Sequence, residues 1–156
     1  MVESWRIIKT RHAARAFDGE GARRYGGRWN SPSRRVVYTS STISLAVLEV
    51  LVHLEQSAFL PAYSLLRVQL EESQLRRLPL TKLPKNWRND PAPSALQAIG
   101  DQWLSEGRSL ALAVPSALVP YETNYLLNPE HSAFSHIVIE PAQPFSFDRR
   151  FIEKVV

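Results

Sequence analysis

The sequence predicts an α+β fold, a mainly antiparallel β-sheet flanked by helices, and three observations carry that expectation. Four short runs have strand character, and two longer segments have helical character. No internal repeat, low-complexity tract or Gly/Ser linker divides the 156 residues, a length that fits one domain spanning 1–156. A chain of that size buries roughly two-thirds of the surface its unfolded form exposes, enough for one core.

Taken in chain order, residues 10–32 hold Gly19, Gly21, Gly26 and Gly27 and few regularly spaced apolar positions. They read as a long ordered loop, the kind that usually serves a site. Val36-Val37-Tyr38-Thr39 is β-branched and aromatic, as strands are. Ser40-Ser41-Thr42 then offers capping side chains for a helix over residues 43–54. In residues 63–70, Leu66, Val68 and Leu70 alternate with Arg67 and Gln69, the period of a strand with one buried face. Pro79, Pro84, Pro91 and Pro93 make residues 71–93 mostly irregular. Ser94 is placed to cap a helix whose Leu96, Ile99 and Trp103 share a face and which Gly107 ends. Residues 109–114 are apolar enough for a buried strand stopped by Pro115, and residues 134–139 form a further strand before Pro141.

Composition narrows the function classes. Hydrophobic residues make up 44% and charged residues 22%, so neither a disordered chain nor a membrane protein is indicated. The absence of cysteine removes disulfides, thiolate zinc sites and thiol nucleophiles together. No apolar run has the length of a signal peptide or a membrane span, which makes the cytoplasm the expected compartment. The net charge of +4 is uneven: residues 1–50 carry nine Arg or Lys against four Asp or Glu. That excess fits either a solvated basic face or a site for phosphates, and charge alone does not choose.

Glu49 is the most informative residue. Its helix is apolar on nearly every side, as in helices buried in a core, where a carboxylate has no routine place. Such a group must be paired, protonated or turned toward a polar cavity, because burial without partners costs several kcal/mol. His53, four residues on, is placed to meet it on the same face. A structural pair is the bland explanation, and a functional carboxylate the favoured one. In the segment from Gly21 to Asn30, adjacent Gly26 and Gly27 permit close backbone approach to a ligand. Arg23, Arg24 and Arg28 offer planar donor forks there for phosphate or carboxylate. Neither a Walker loop nor a dinucleotide fingerprint is present. Ser116 stands where a strand ends, but no Gly-x-Ser-x-Gly elbow marks it as a nucleophile. His12, His53, His131 and His136 lack zinc-type spacing, so no metal is expected.

Together these pieces resemble the RES domain, a family named for its arginine, glutamate and serine. The resemblance rests on Trp5-Arg6, Gly19 to Ala22, Gly26-Gly27-Arg28-Trp29-Asn30, Val36-Val37-Tyr38, and Leu48-Glu49-Val50-Leu51-Val52-His53. It continues through Val114-Pro115-Ser116 and Asn124 to Asn128-Pro129-x-His131, in order from about residue 5 to residue 140. Residues 71–93 match least, and Ser132 stands where related sequences often have proline. The resemblance implies an ADP-ribosyltransferase-like fold and a bacterial toxin that acts on NAD⁺ as substrate, with no bound prosthetic group. It implies Glu49, Arg28, Tyr38 and Ser116 as the catalytic set, and Arg6, Arg28, Tyr38 and Ser116 as NAD⁺-binding groups. It also implies an antitoxin partner with an Xre-like helix-turn-helix domain, with a homodimer within the complex, and no membrane or direct nucleic-acid partner. Three activities follow as alternatives. In order, they are cleavage of NAD⁺ by water or phosphate, mono-ADP-ribosylation of a protein, and binding or cleavage of RNA. The last leaves Glu49 without a purpose.

Overall fold

The computed structural model describes residues 1–54 and 61–153. Its strands are β1 (Val2–Lys9), β2 (Val37–Ser40), β3 (Tyr63–Leu70), β4 (Leu75–Arg77), β5 (Ala111–Pro115), β6 (Thr123–Leu127), β7 (Val138–Ile139) and β8 (Gln143–Phe145). Its helices are α1 (Glu20–Tyr25), α2 (Ile43–Leu51), α3 (Ser94–Glu106) and α4 (Arg149–Glu153). One sheet runs in the order β4-β5-β6-β2-β1-β3-β7, with β8 also pairing on β3. Among the described residues only the β4–β5 pair is parallel, so the expected mainly antiparallel α+β fold is found.

The strand alternation explains how two layers form on that sheet. On β5, Leu112 and Val114 join Leu126 of β6, Trp29, and Leu96 and Trp103 of α3 in one core. Ala111, one residue before Leu112 and so on the opposite face, joins Val37, Val68, Leu70 and Leu127 in another. A third cluster unites Ile7, Tyr63 and Phe147 with Ala46 of α2. Helix α3 ends where Gly107 takes the left-handed conformation, φ 61°, a geometry glycine adopts without a Cβ penalty.

Several elements differ from the sequence expectation. Strand β1 was not anticipated, because Ser4 and Arg6 interrupt its apolar pattern, yet it pairs with β3 from Val2 to Lys9. Strand β6 was hidden in the Asn124 to Asn128 motif, and β4 in the Pro-rich stretch. Residues 10–32 are not simply loop: they contain a 3-10 turn, Thr10–Arg15, and α1. Most of the strand expected at 134–139 is a 3-10 turn, Ser132–His136, because only Val138–Ile139 finds a partner on β3. Ser94 is the first helical residue and caps nothing; Pro93 occupies the cap. The helix after β2 is capped by Thr42, whose Oγ1 accepts from the Leu45 amide at 3.1 Å, and ends at Leu51. Its end at Leu51 falls three residues short of the expected residue 54.

That helix is also less buried than its composition suggests. Leu45 and Ala46 are buried, but Leu48 is 38% and Val52 is 55% exposed. An all-apolar helix can lie on one face of a sheet and leave its far side uncovered, which composition cannot reveal.

Candidate functional site

The ladder register sets out the first row of polar groups. Ser40 of β2 lies opposite Asn124 of β6, and Asn124 lies opposite Val114 of β5 on its other side. Ser116 follows just past β5, where its amide donates to the Glu122 carbonyl at 2.9 Å. Helix α2 packs against β1 and β2 and brings Glu49 over this row. Ser116 Oγ donates to Glu49 Oε1 at 2.9 Å, and Asn124 Nδ2 donates to the same oxygen at 2.7 Å. His53, expected on Glu49's face of the helix, lies past its last turn and makes no hydrogen bond to Glu49 among the described residues. Ser116 is fully buried. Of the two partners left open for it, substrate or Glu49, its proton goes to Glu49.

A second group is built around Tyr38. Its hydroxyl donates to Asn30 Oδ1 at 2.6 Å and accepts the Trp29 amide at 3.1 Å. Burial pushes the phenol well above its usual value, opposed by the bond from Trp29. Asn30, itself fully buried, spends Nδ2 on the carbonyls of Ala22, Ser31 and Arg34. The same loop is fastened to α3: Gln97 donates to the Gly27 carbonyl, and Asp101 accepts the Ser31 amide. Glycine is required at 27, since a Cβ there would stand 2.5 Å from the Tyr38 hydroxyl.

Between these groups opens a cleft of about 870 Å³, bordered by Arg6, Arg28, Tyr38, Glu49, Arg88 and Asn124 among others. That volume suits a nucleotide-sized ligand. Arg6 donates through Nη1 to the Tyr38 carbonyl at 2.8 Å, while its Nε is buried with no partner among the described residues. Burial brings this guanidinium down to about 10, against the charge of Asp18, so it remains protonated at neutral pH. Arg28 Nη1 donates to the carbonyls of Trp87 and Asn89, and Arg88 Nε to that of Ala117. The three cleft arginines thus have neutral partners, and none is ion-paired with a carboxylate among the described residues. Arg23 and Arg24, which the sequence offered for phosphate, are instead committed to Glu20. Their hydrogen bonds hold the Glu20 carboxyl down at about 2.

The comparisons place this architecture. The RES domain model matches residues 3–148. The chain belongs to the RES family. Among its relatives, "Toxin Res" of Yersinia enterocolitica is 43% identical over 143 residues, covering 92% of this chain and 93% of that protein. "Prs ADP-ribosylating toxin" of a Sphingobium species is 34% identical, covering 96% of each chain. The RES fold here is also similar to a chain in the crystal structure of the M. tuberculosis MbcT–MbcA toxin–antitoxin complex. The TM-score is 0.74, with 18% identity over 93% of this chain and 84% of that one.

In this RES chain, Arg6, Arg28, Tyr38 and Glu49 all border one cleft, and Ser116 stands behind Glu49. Sequence reasoning missed Asn124, Ser40 and Arg88. Asn124 was visible only as part of a motif, and Arg88 sits in the stretch with the least recognisable pattern. Tyr25, Val52 and Leu118, 81%, 55% and 36% exposed, give the rim of the cleft an apolar character.

Proposed function

We propose that this RES chain is the toxin of a toxin–antitoxin pair and cleaves the nicotinamide–ribose bond of NAD⁺, with no prosthetic group. The observation that supports this best is the pairing of a cleft-lining carboxylate, Glu49, with three guanidiniums that have no carboxylate partner among the described residues, all on one cleft. NAD⁺ carries a negative pyrophosphate, for which Arg28 and Arg6 supply charge and forked donors. Its ribose becomes oxocarbenium-like as the bond breaks, and a fixed negative charge nearby lowers the energy of that state.

In this reading Arg6 and Arg28 bind the phosphates and adjoining ribose, and Tyr38 packs against the nicotinamide–ribose end. As the C1′–N bond breaks, its electron pair leaves with nicotinamide. Glu49 stabilises the developing C1′ cation and the ribose hydroxyls, and water then attacks C1′ and releases a proton, giving ADP-ribose. Ser116 acts through Glu49, and no covalent intermediate is needed. Inorganic phosphate can replace water at the same carbon. A protein side chain as acceptor is the second reading, favoured by the name of the Sphingobium relative.

Incubation of purified protein with NAD⁺ tests the main reading, through free nicotinamide and a stoichiometric soluble ADP-ribose product. No nicotinamide above background defeats both readings, and label retained on protein selects the second. The partner we propose is an antitoxin with an Xre-like DNA-binding domain, with a homodimeric toxin in the complex. The proposed place of action is the cytoplasm; among the described residues no helix is long and apolar enough to cross a membrane.

A further inference from the structure

We infer that Asn124 and Ser40 are positioning residues that hold Glu49 so that only its Oε2 faces substrate; this rests on the role proposed above for Glu49. Among the described residues, both hydrogen bonds to the carboxylate fall on Oε1, from Ser116 Oγ at 2.9 Å and Asn124 Nδ2 at 2.7 Å. Oε2 has no hydrogen-bond partner among the described residues, and Glu49 borders the cleft. One oxygen is anchored, and the other is left to work.

Each donor is itself held so that donation is its natural role. Ser116 Oγ accepts the amides of Leu118 at 3.1 Å and Val119 at 3.2 Å, which leaves its single proton for Glu49. Asn124 Oδ1 accepts from Ser40 Oγ at 2.8 Å, which holds the amide in place while the acceptor-only carboxylate sets which end meets it. A flipped amide would set its carbonyl oxygen against Oε1, acceptor against acceptor. The arrangement follows from backbone register, since Ser40 is the direct cross-strand partner of Asn124 and the opposite partner, Val114, is apolar and offers no competing bond. Ser40 and Ser116 are 4% and 0% exposed, so water has little access to replace them. A carboxylate fixed in advance does not have to be ordered when substrate arrives, which is where such supporting bonds contribute to rate.

The test uses steady-state nicotinamide release by the full chain. Asn124→Ala is expected to lower kcat about tenfold, the scale of one hydrogen bond to a charged group, with KM within about twofold. Ser40→Ala is expected to lower kcat as well, and to add nothing when Asn124 is already alanine, since it acts only through that amide. Asn124→Asp gives a sharper signature. Two carboxylates at hydrogen-bond distance share a proton as pH falls, and the shared proton restores a donor to Oε1. The ratio of Asn124→Asp to wild-type kcat should therefore rise between about pH 8 and about pH 5.5, whereas a merely structural role leaves it flat. A folded Asn124→Ala protein with wild-type kcat overturns the proposal, as does a Ser40→Ala loss that persists undiminished in the Asn124→Ala background. If Asn124→Ala does not fold, Ser40→Ala and Asn124→Asp decide. Should the wild type release no nicotinamide, the proposed function fails, and hydrogen exchange of the Asn124 side-chain amide decides separately on positioning. That exchange should be slow in the wild type and fast in Ser40→Ala, and equal rates overturn the inference.

Discussion

Glu49, Tyr38 and Arg28 depend on their surroundings in three different ways, and single substitutions separate them. Glu49→Gln keeps the Oε1 acceptor used by Ser116 and Asn124 and removes the charge at the other oxygen. Nicotinamide release should fall by at least about two orders of magnitude while the unfolding midpoint moves only a few degrees. A folded variant that keeps near wild-type turnover contradicts the proposed mechanism. Tyr38→Phe deletes a donor to buried Asn30 and an acceptor for Trp29, and is expected to cost about 1–3 kcal/mol in a denaturant titration. Because burial raises the Tyr38 phenol above its unfolded value of 10.0, its contribution is whole below that pH and is lost as pH rises beyond it. Burial also raises the Tyr63 phenol, so a spectroscopic titration should find one fewer late-ionising tyrosine in the variant than in the wild type. Arg28 bridges two carbonyls through one nitrogen, and Arg28→Lys keeps the charge but loses the fork. At least about tenfold weaker NAD⁺ turnover is expected, and full activity would reduce the Arg28 loop to scaffolding.

At the scale of elements, the site depends on how closely α3 approaches the Gly26–Asn30 loop. A Cβ on Gly100 would collide with the Trp29 carbonyl, so the two backbones touch there directly. Gly100→Ala should destabilise the protein by about 1–3 kcal/mol, as overpacking does, and raise KM by displacing the loop that carries Arg28. Gly21→Ala is the matched control. Its Cβ meets nothing within 4 Å, and it lies inside α1, where alanine replaces the poorer helix former, so stability should be unchanged or higher by up to about 1 kcal/mol. Calorimetry on both variants distinguishes close packing from a general intolerance of side chains at glycine. Equal effects at both positions would contradict the packing account. Much of this level escaped the sequence for a physical reason. Strand β1 carries a fully buried Ser4 and a partly buried Arg6 that break its apolar pattern, and short strands such as β7 exist only where a partner edge meets them.

For the molecule as a whole, the cleft is open, and the proposed activity would be harmful if always available. Tyr25, Val52 and Leu118 form an apolar rim whose exposure suits a covering partner. We expect the antitoxin to cover this mouth, so that NAD⁺ and antitoxin bind exclusively. In calorimetric titrations, the purified complex should take up NAD⁺ far more weakly than free toxin, and equal affinity would require an indirect form of inhibition. Placing a charge on that rim, as in Tyr25→Glu, should weaken antitoxin binding without altering the fold, since the Tyr25, Val52 and Leu118 side chains pack on no core cluster.

What the sequence determined by itself is the fold class, through strand alternation and two apolar helical segments, and the family, through ordered motifs spread across nearly the whole chain. It also singled out Glu49, since a carboxylate in an apolar helix demands an explanation wherever the helix lies. Tertiary structure alone decided how that demand is met. The partners of Glu49 are 67 and 75 residues away, Ser116 and Asn124, and they converge through the register of β5, β6 and β2. His53, its neighbour in sequence, is not among them. The same holds for charge: composition counts the arginines, but only the fold sets Arg23 and Arg24 against Glu20 and leaves Arg6, Arg28 and Arg88 at the cleft without carboxylate partners among the described residues. Hydrogen bonds and ion pairs act over a few ångströms, and which groups come that close is settled by long-range packing, which local pattern does not encode.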